Sequence, residues 1–350
     1  MTIQIKREPT ETLMRDIIAK IAVGPNRGKD ITKAEAYEAT KALLSGETDE
    51  THAALFLIGL RMKRESLLEY AGILKALDEF TPKVEIDLPQ LNYIAEPYDG
   101  YSRGTPVTPY VPAVLAACGL PTIIQGVHSV GPKFGLTAHQ TYLTNNMPVN
   151  LNLKKASKLL HKNNCGWAYL DQSISCPELF KLGPFRDKIV KRTALTTLER
   201  VLMPIKANSN HLALGYVHQA YPKIYGIMAN LAGFDKALLI KGLEGGVSPA
   251  LNKPLRTFFM EKGSLSQKEI DDTPVDLMHL HSGTKTRRSI RLAHISAILK
   301  EPNTAKYQML ISTSALILSK AKNIPLNRAV ALVKVALESG EAEDRFNNMK

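Results

Sequence analysis

Beyond Phe80 the chain changes character: short apolar runs at residues 93–96, 122–125, 167–170, 212–217 and 237–240 alternate with segments of helical periodicity at 110–118, 136–145, 154–161, 186–202 and 221–231. Strands separated by helices of this length are joined by right-handed crossovers, which makes them neighbours in a largely parallel sheet with helices on its faces. In such sheets ligands bind beyond the carboxyl ends of the strands. The expected fold is therefore an α/β domain with a largely parallel central sheet, preceded by a small, all-helical N-terminal domain.

The first eighty residues read as four helices. Leu13, Ile17, Ile18 and Ile21 give one apolar stripe, and a turn follows at 24–28. Thr32-Lys33-Ala34-Glu35 is a capping box, in which hydroxyl and carboxylate each satisfy an otherwise unpaired amide, and Gly46 stops the helix it opens. Ala53, Leu55, Phe56, Leu57, Leu60 and Met62 belong to a third helix, and Leu67, Leu68, Ala71, Ile73, Leu74 and Leu77 to a fourth. So small a bundle needs a surface from elsewhere to pack on. The expected organisation is a helical domain over 1–80 and an α/β domain over 81–350, with a linker at 81–90 between Pro82 and Pro89. Helices at 306–319 and 326–337 close the chain, and the sequence allows them to cover either the sheet or the N-terminal helices.

Composition narrows the function classes. Of 350 residues, 44% are hydrophobic and 22% charged, as in a globular chain with a sizeable core. The longest stretch without a formal charge, 104–132, is broken by Pro106, Pro109, Pro112 and Pro121, so no membrane span is expected. The early charges of the N-terminus do not resemble a secretory leader. Three cysteines, Cys118, Cys165 and Cys176, form no disulfide pattern and fit a reducing cytoplasm. The net charge of +12 favours an anionic partner, and a phosphorylated metabolite, a nucleic acid or general solubility would each be served by it.

Candidate chemistry lies in two loops. The strand at 93–96 runs into Glu96-Pro97-Tyr98-Asp99-Gly100-Tyr101-Ser102-Arg103, whose amides can cradle phosphate while Arg103 adds charge. The next strand runs into Gly126-Val127-His128-Ser129-Val130-Gly131-Pro132-Lys133-Phe134-Gly135, where glycines permit close approach and His128, Ser129 and Lys133 suit a phosphate or sugar hydroxyl. Neither loop carries a nucleotide-binding fingerprint. Each also has a plainer reading, as a tight turn with solvated polar side chains.

Ser129-Val130 with Lys133 and Gly135 in the second loop, together with Leu43-Leu44-Ser45-Gly46-Glu47-Thr48, the run from Ala54 to Lys63, Pro184-Phe185-Arg186, Arg192-Thr193 and Leu214-Gly215-Tyr216, resemble the anthranilate phosphoribosyltransferase family. The resemblance extends over nearly the whole chain, as a divergent member of the glycosyltransferase family 3, type III nucleoside-phosphorylase-like fold. It implies a substrate cleft between the two domains, a homodimer formed through the helical domain, a phosphorylated sugar or nucleotide-like ligand, and Mg2+ as cofactor. Carried onto this sequence, it makes Tyr98, Asp99, Gly100, Arg103, Thr108, Gly126, His128, Ser129, Lys133 and Arg186 the substrate-binding candidates, and Glu244 the metal candidate. No catalytic residue is assigned.

The departures from the family are specific. Its Gly-Thr-Gly-Gly-Asp loop is replaced by Glu96-Pro97-Tyr98-Asp99-Gly100, its Asn-x-Ser-Thr by Pro106-Val107-Thr108-Pro109, and its acidic metal pair by Glu244-Gly245-Gly246-Val247-Ser248-Pro249. Two prolines remove amides, and donors needed for a magnesium pyrophosphate are gone. Ordinary anthranilate phosphoribosylation is therefore not expected, whereas transfer of a phosphoribosyl or related pentosyl group to another acceptor is. The alternative is a non-enzymatic, sequence-nonspecific binder of single-stranded nucleic acid on the same fold. Its expected contacts are Lys154, Lys155 and Lys158, then Lys285, Arg287, Arg288 and Arg291.

Overall fold

A computed structural model describes residues 8–24, 27–104, 106–249, 255–269, 298 and 304–350. The candidates Lys285, Arg287, Arg288 and Arg291 lie outside them. The chain opens with α1 (Pro9–Ile21), α2 (Lys33–Ser45), α3 (Glu50–Lys63) and α4 (Leu67–Glu79). Local chemistry fixes their ends. Thr32 and Glu35 form the expected capping box on α2, Gly46 closes that helix at φ 75°, and Ser66 with Glu69 repeats the box on α4. Glu69 is wholly buried, binds the Lys63 ammonium at 2.8 Å and accepts the Ile31 amide at 2.9 Å, pinning the α1–α2 connection to α4.

The strands are β1 (Val84–Glu85), β2 (Leu91–Ala95), β3 (Thr122–Gly126), β4 (Trp167–Asp171), β5 (Ile205–Lys206), β6 (Asn210–Tyr216), β7 (Lys236–Lys241), β8 (Arg256–Glu261) and β9 (Ser264–Glu269). The main sheet runs β4-β3-β2-β6-β7-β8-β9, parallel from β4 to β7 and antiparallel beyond; β1 and β5 form a separate parallel pair, so the segment expected as linker contributes a strand. The β8–β9 hairpin has no counterpart among the expected strands. Between strands lie α5 (Val111–Ala117), α6 (Ala138–Thr144), α7 (Leu153–His161), α8 (Gln172–Ser175), α9 (Pro177–Lys181), α10 (Gly183–Ile189), α11 (Ala194–Leu198) and α12 (Tyr221–Leu231). The single helix expected over 186–202 is a correction: Val190 adopts φ 65°, and the segment divides into α10, α11 and a short 3-10 turn at Glu199–Val201.

Alternation along the strands divides the core. Tyr93, Ile123, Leu212, Leu214 and Leu239 face one cluster shared with α1–α4, while Ile94, Ile124, Ala213, Leu238 and Ile240 face another. The second cluster holds α5 and the C-terminal helices Ala305–Lys322, Leu326–Glu338 and Glu341–Asn347. The C-terminal helices therefore cover the sheet face opposite the N-terminal bundle, which settles the alternative the sequence left open. Among the described residues no helix is long and apolar enough to cross a membrane.

Candidate functional site

The chain reverses direction across the sheet at β2, which has β3 on one side and β6 on the other. The loops that leave the carboxyl ends of β2 and β3 meet there, as a switch point requires of a ligand site. They are joined backbone to backbone: Tyr101 N–H donates to Leu136 O at 2.9 Å, Leu136 N–H to Tyr101 O at 2.8 Å, and Gly135 N–H to Asp99 O at 2.8 Å. So close a contact needs glycine on both sides. A Cβ on Gly100, which has φ 75°, would lie 2.4 Å from Gly135 O, and one on Gly135 would lie 2.5 Å from Tyr101 N.

Charged groups from four connecting segments converge at this junction. Glu244 accepts the Ser102 amide at 3.0 Å, the Arg103 amide at 2.8 Å and the Ser102 hydroxyl at 2.9 Å. The Lys133 ammonium stands 3.2 Å from Glu244 and 3.7 Å from Asp99, while Arg192 Nε donates to Asp99 at 2.9 Å. Burial would raise the Glu244 carboxyl, but the Ser102 amide, Lys133 and the Arg103 amide outweigh it and hold the group below its ordinary value. Glu244 sits at φ 51°, ψ 21°, a left-handed conformation that costs a non-glycine residue about 1–2 kcal/mol.

Beneath the loops the site is closed by buried side chains. Glu96 is 3% exposed and accepts the Tyr101 hydroxyl at 2.6 Å; burial raises its carboxyl to about 7, against the opposing pull of Tyr101 and Arg200. Arg200 donates to Ala95 O at 2.7 Å, Gly245 O at 2.7 Å and Gly215 O at 2.9 Å, tying the ends of β2 and β6 to the turn that carries Glu244. Gly246 lies over Tyr101, whose hydroxyl would be 1.7 Å from a Cβ there.

The sequence candidates separate by burial. Lys133, Asp99, Glu244 and the Arg103 backbone are brought together, and Gly100 makes their loop contact possible. Tyr98 packs with Val127 and Val130 in a small apolar cluster, Gly126 ends β3 inside the sheet, and Thr108 is wholly buried with its hydroxyl 3.2 Å from that of Ser248. His128 and Ser129 are exposed. Arg186 is buried on Glu199, at 2.7 and 2.9 Å, with Thr196 at 3.3 Å. Lys154, Lys155 and Lys158 project from α7, whose other side buries Leu153, Ala156 and Leu160.

Sequence reasoning missed a neighbouring group. His139 Nδ1 lies 2.9 Å from Asp171 and 3.1 Å from the Tyr169 hydroxyl, and its ring meets that of His128 edge-on at 5.2 Å. Asp171 accepts the Ser173 amide at 2.9 Å and hydroxyl at 2.6 Å; burial pushes its carboxyl up, but His139 and Ser173 bring it below the ordinary value. An aspartate at the carboxyl end of a predicted strand was the available signal.

Glu244 and Asp99 are the carboxylates at this junction that could meet a Mg2+. Among the described residues no three metal-ligating side chains converge, and both cleft carboxylates are engaged by Lys133, Arg192 or backbone amides.

Residues 15–81 match the helical bundle domain of the glycosyl transferase family. An anthranilate phosphoribosyltransferase of Caldivirga maquilingensis is 26% identical over 271 residues, 77% of this chain and 76% of that one. An uncharacterized protein of Aquifex aeolicus is 27% identical over 231 residues, 65% of this chain and 67% of its own. Among solved structures, anthranilate phosphoribosyltransferase from Thermus thermophilus aligns with a TM-score of 0.73 at 18% identity, over 96% of this chain and 98% of that one. The Saccharomyces cerevisiae enzyme in complex with PRPP and Mg aligns with a TM-score of 0.76 at 16% identity, over 97% and 98%. Sequence and structure agree on one fold, a helical bundle followed by a mostly parallel sheet, which this chain shares with the solved anthranilate phosphoribosyltransferases.

Proposed function

We propose that the protein is a phosphoribosyltransferase-like enzyme that binds a phosphorylated pentose at the junction of the β2 and β3 loops and transfers the pentosyl group to an acceptor other than anthranilate. The observation that carries this reading is the convergence of the Ser102 and Arg103 amides, the Ser102 hydroxyl and the Lys133 ammonium on a single anionic group. Donors fixed in that way stabilise phosphate charge without reorganising, which is how positional and electrostatic catalysis of such a transfer works. The bond from the sugar carbon to the phosphate leaving group breaks, a bond to the acceptor forms, and the acceptor's proton is released. His139, oriented by Asp171, is the proposed proton acceptor.

The yeast structures with PRPP and Mg, and with Mg, support a donor of this class. In this chain Mg2+ would enter with the ligand's phosphates, and no step above depends on it. Titration calorimetry with phosphoribosyl pyrophosphate, with and without Mg2+, tests the reading: saturable binding that Lys133→Ala abolishes is expected, and absence of binding under both conditions would refute it.

The second reading, binding of single-stranded nucleic acid, draws on a separate observation. Lys154, Lys155 and Lys158 are all exposed on α7, which has no acidic residue in its first turn, in a chain of net charge +12. A homodimer through the N-terminal helices and a cytoplasmic location belong to the same proposal. The exposed apolar residues of α3 support the first and three unpaired cysteines the second.

A further inference from the structure

We infer that Glu244 is an internal stand-in for the ligand's phosphate, so that its carboxylate and a phosphoryl group compete for the same donors and Glu244 sets the charge a ligand must carry to enter. The inference rests on reading the cleft as a phosphate site and adds what holds that site closed.

Four donors already bind an anion here. The amides of two successive residues, Ser102 and Arg103, point at one carboxylate, the Ser102 hydroxyl joins them, and Lys133 neutralises the charge at 3.2 Å. Consecutive amides arranged in this way form a concavity selective for anions. In this chain the anion is supplied by residue 244, more than a hundred residues away from those donors.

The arrangement is built to exchange. Ser102 and Arg103 are exposed, Leu243 beside Glu244 is 40% exposed, and the buried run Gly245–Pro249 begins only after it. The glutamate side chain can swing into solvent by rotating its own bonds while Arg200 keeps Gly245 in place. A phosphate monoester or pyrophosphate offers more oxygens and more charge than one carboxylate, and Lys133 and Arg192 favour it further. A neutral sugar has no means of displacing Glu244, and a monocarboxylate gains nothing over it.

The test is calorimetric titration of inorganic pyrophosphate, at low salt and without metal, into the parent and into Glu244→Ala, Glu244→Gln and Asp99→Asn. Vacating the donors is expected to tighten binding by about tenfold or more in Glu244→Ala, because hydrogen bonds to charged groups are of that strength. Glu244→Gln shifts affinity in the same direction by less, and carries the test if the alanine variant does not fold. Asp99 also faces Lys133 but accepts neither the Ser102 nor the Arg103 amide, so Asp99→Asn removes an equal charge without freeing them, and a much smaller gain is expected.

Equal gains in Glu244→Ala and Asp99→Asn would reduce the effect to charge and overturn the inference. Parent and Glu244→Ala binding equally tightly would overturn it while leaving the phosphate site standing. No binding by any of the four would overturn both. A repeat with Mg2+ separates the remaining role: a metal-ligating Glu244 predicts weaker binding in Glu244→Ala, opposite in sign to displacement, and that result would also overturn the inference.

Discussion

Arg186 meets Glu199 through two hydrogen bonds, 2.7 and 2.9 Å long, with the glutamate wholly enclosed and the arginine 6% exposed. Gln172 adds a third hydrogen bond to the same carboxylate at 2.8 Å. Removing one partner leaves a buried charge without its counterion, which costs far more than the pair itself contributes. Glu199→Ala is expected to destabilise the protein by about 3–5 kcal/mol in urea unfolding. The double variant Arg186→Met/Glu199→Leu should recover much of the loss. A cost below about 1 kcal/mol for the single variant would mean that Arg186 finds another partner, leaving it available to substrate.

Arg200 serves the site by holding its floor. Its three carbonyl partners belong to β2, β6 and the turn bearing Glu244, and the Tyr225 hydroxyl adds a fourth at 3.2 Å. Arg200→Met leaves those buried carbonyls unpaired, with an expected loss of about 3 kcal/mol or more. The loss should be local as well as global. Hydrogen exchange at Gly245 and Gly246 is expected to accelerate more than at Leu212 or Leu214 in the middle of β6.

The difference between what was legible and what was not has a physical basis. Thr32 with Glu35, and the apolar runs at 122–125 and 167–170, specify their structure through near neighbours, and the corresponding elements formed where expected. The break at Val190 and the hairpin of β8 and β9 depend on tertiary packing, which periodicity does not encode. At the site, Lys133 and Asp99 could be picked out because each lies in a glycine-bearing loop after a predicted strand. Their convergence with Glu244 could not, since it joins residues far apart in the chain. His139 was hidden within a helix, and only the position of Asp171 at the end of β4 gives it a role.

Glu96 predicts a pH dependence of known sign. Burial raises its folded carboxyl to about 7 from 4.5, so the folded state holds a proton that the unfolded chain releases. Its contribution is present in full below the unfolded value and is lost as pH rises through the window between them, by roughly 3 kcal/mol in all. His211, lowered by burial to about 4, acts in the opposite direction over an overlapping range. The parent must therefore be compared with Glu96→Gln at each pH. The melting temperature of the parent is expected to fall relative to that variant between about pH 4.5 and pH 7; a constant difference would show that Glu96 does not titrate in this range.

Exposed lysines on α7 lead to a prediction about salt. If Lys154, Lys155 and Lys158 meet phosphates of a single strand, charge reversal at all three weakens binding for every sequence alike. The slope of log affinity against log salt should fall by about 0.7 for each phosphate that no longer has a lysine beside it. Fluorescence anisotropy of a labelled oligonucleotide at several salt concentrations reads both quantities. Unchanged affinity in the triple variant would remove α7 from the interface.

Leu55 and Met62, seven residues apart on α3, are 46% and 75% exposed, and Leu68 at the start of α4 is 61% exposed. Two helical turns bring the α3 pair onto one side of the helix, away from the buried Phe56, Leu57 and Leu60. Exposed apolar area of this kind is covered by association when it is continuous, and a twofold dimer would place the same stripe on both sides of the contact. Light scattering after size exclusion is expected to give twice the chain mass for the parent and the single-chain mass for Leu55→Glu/Met62→Lys. Because neither side chain supports the bundle core, stability is expected to change by about 0.5 kcal/mol or less per substitution under conditions where the parent is monomeric. A dimer that survives both substitutions would place its interface away from this stripe.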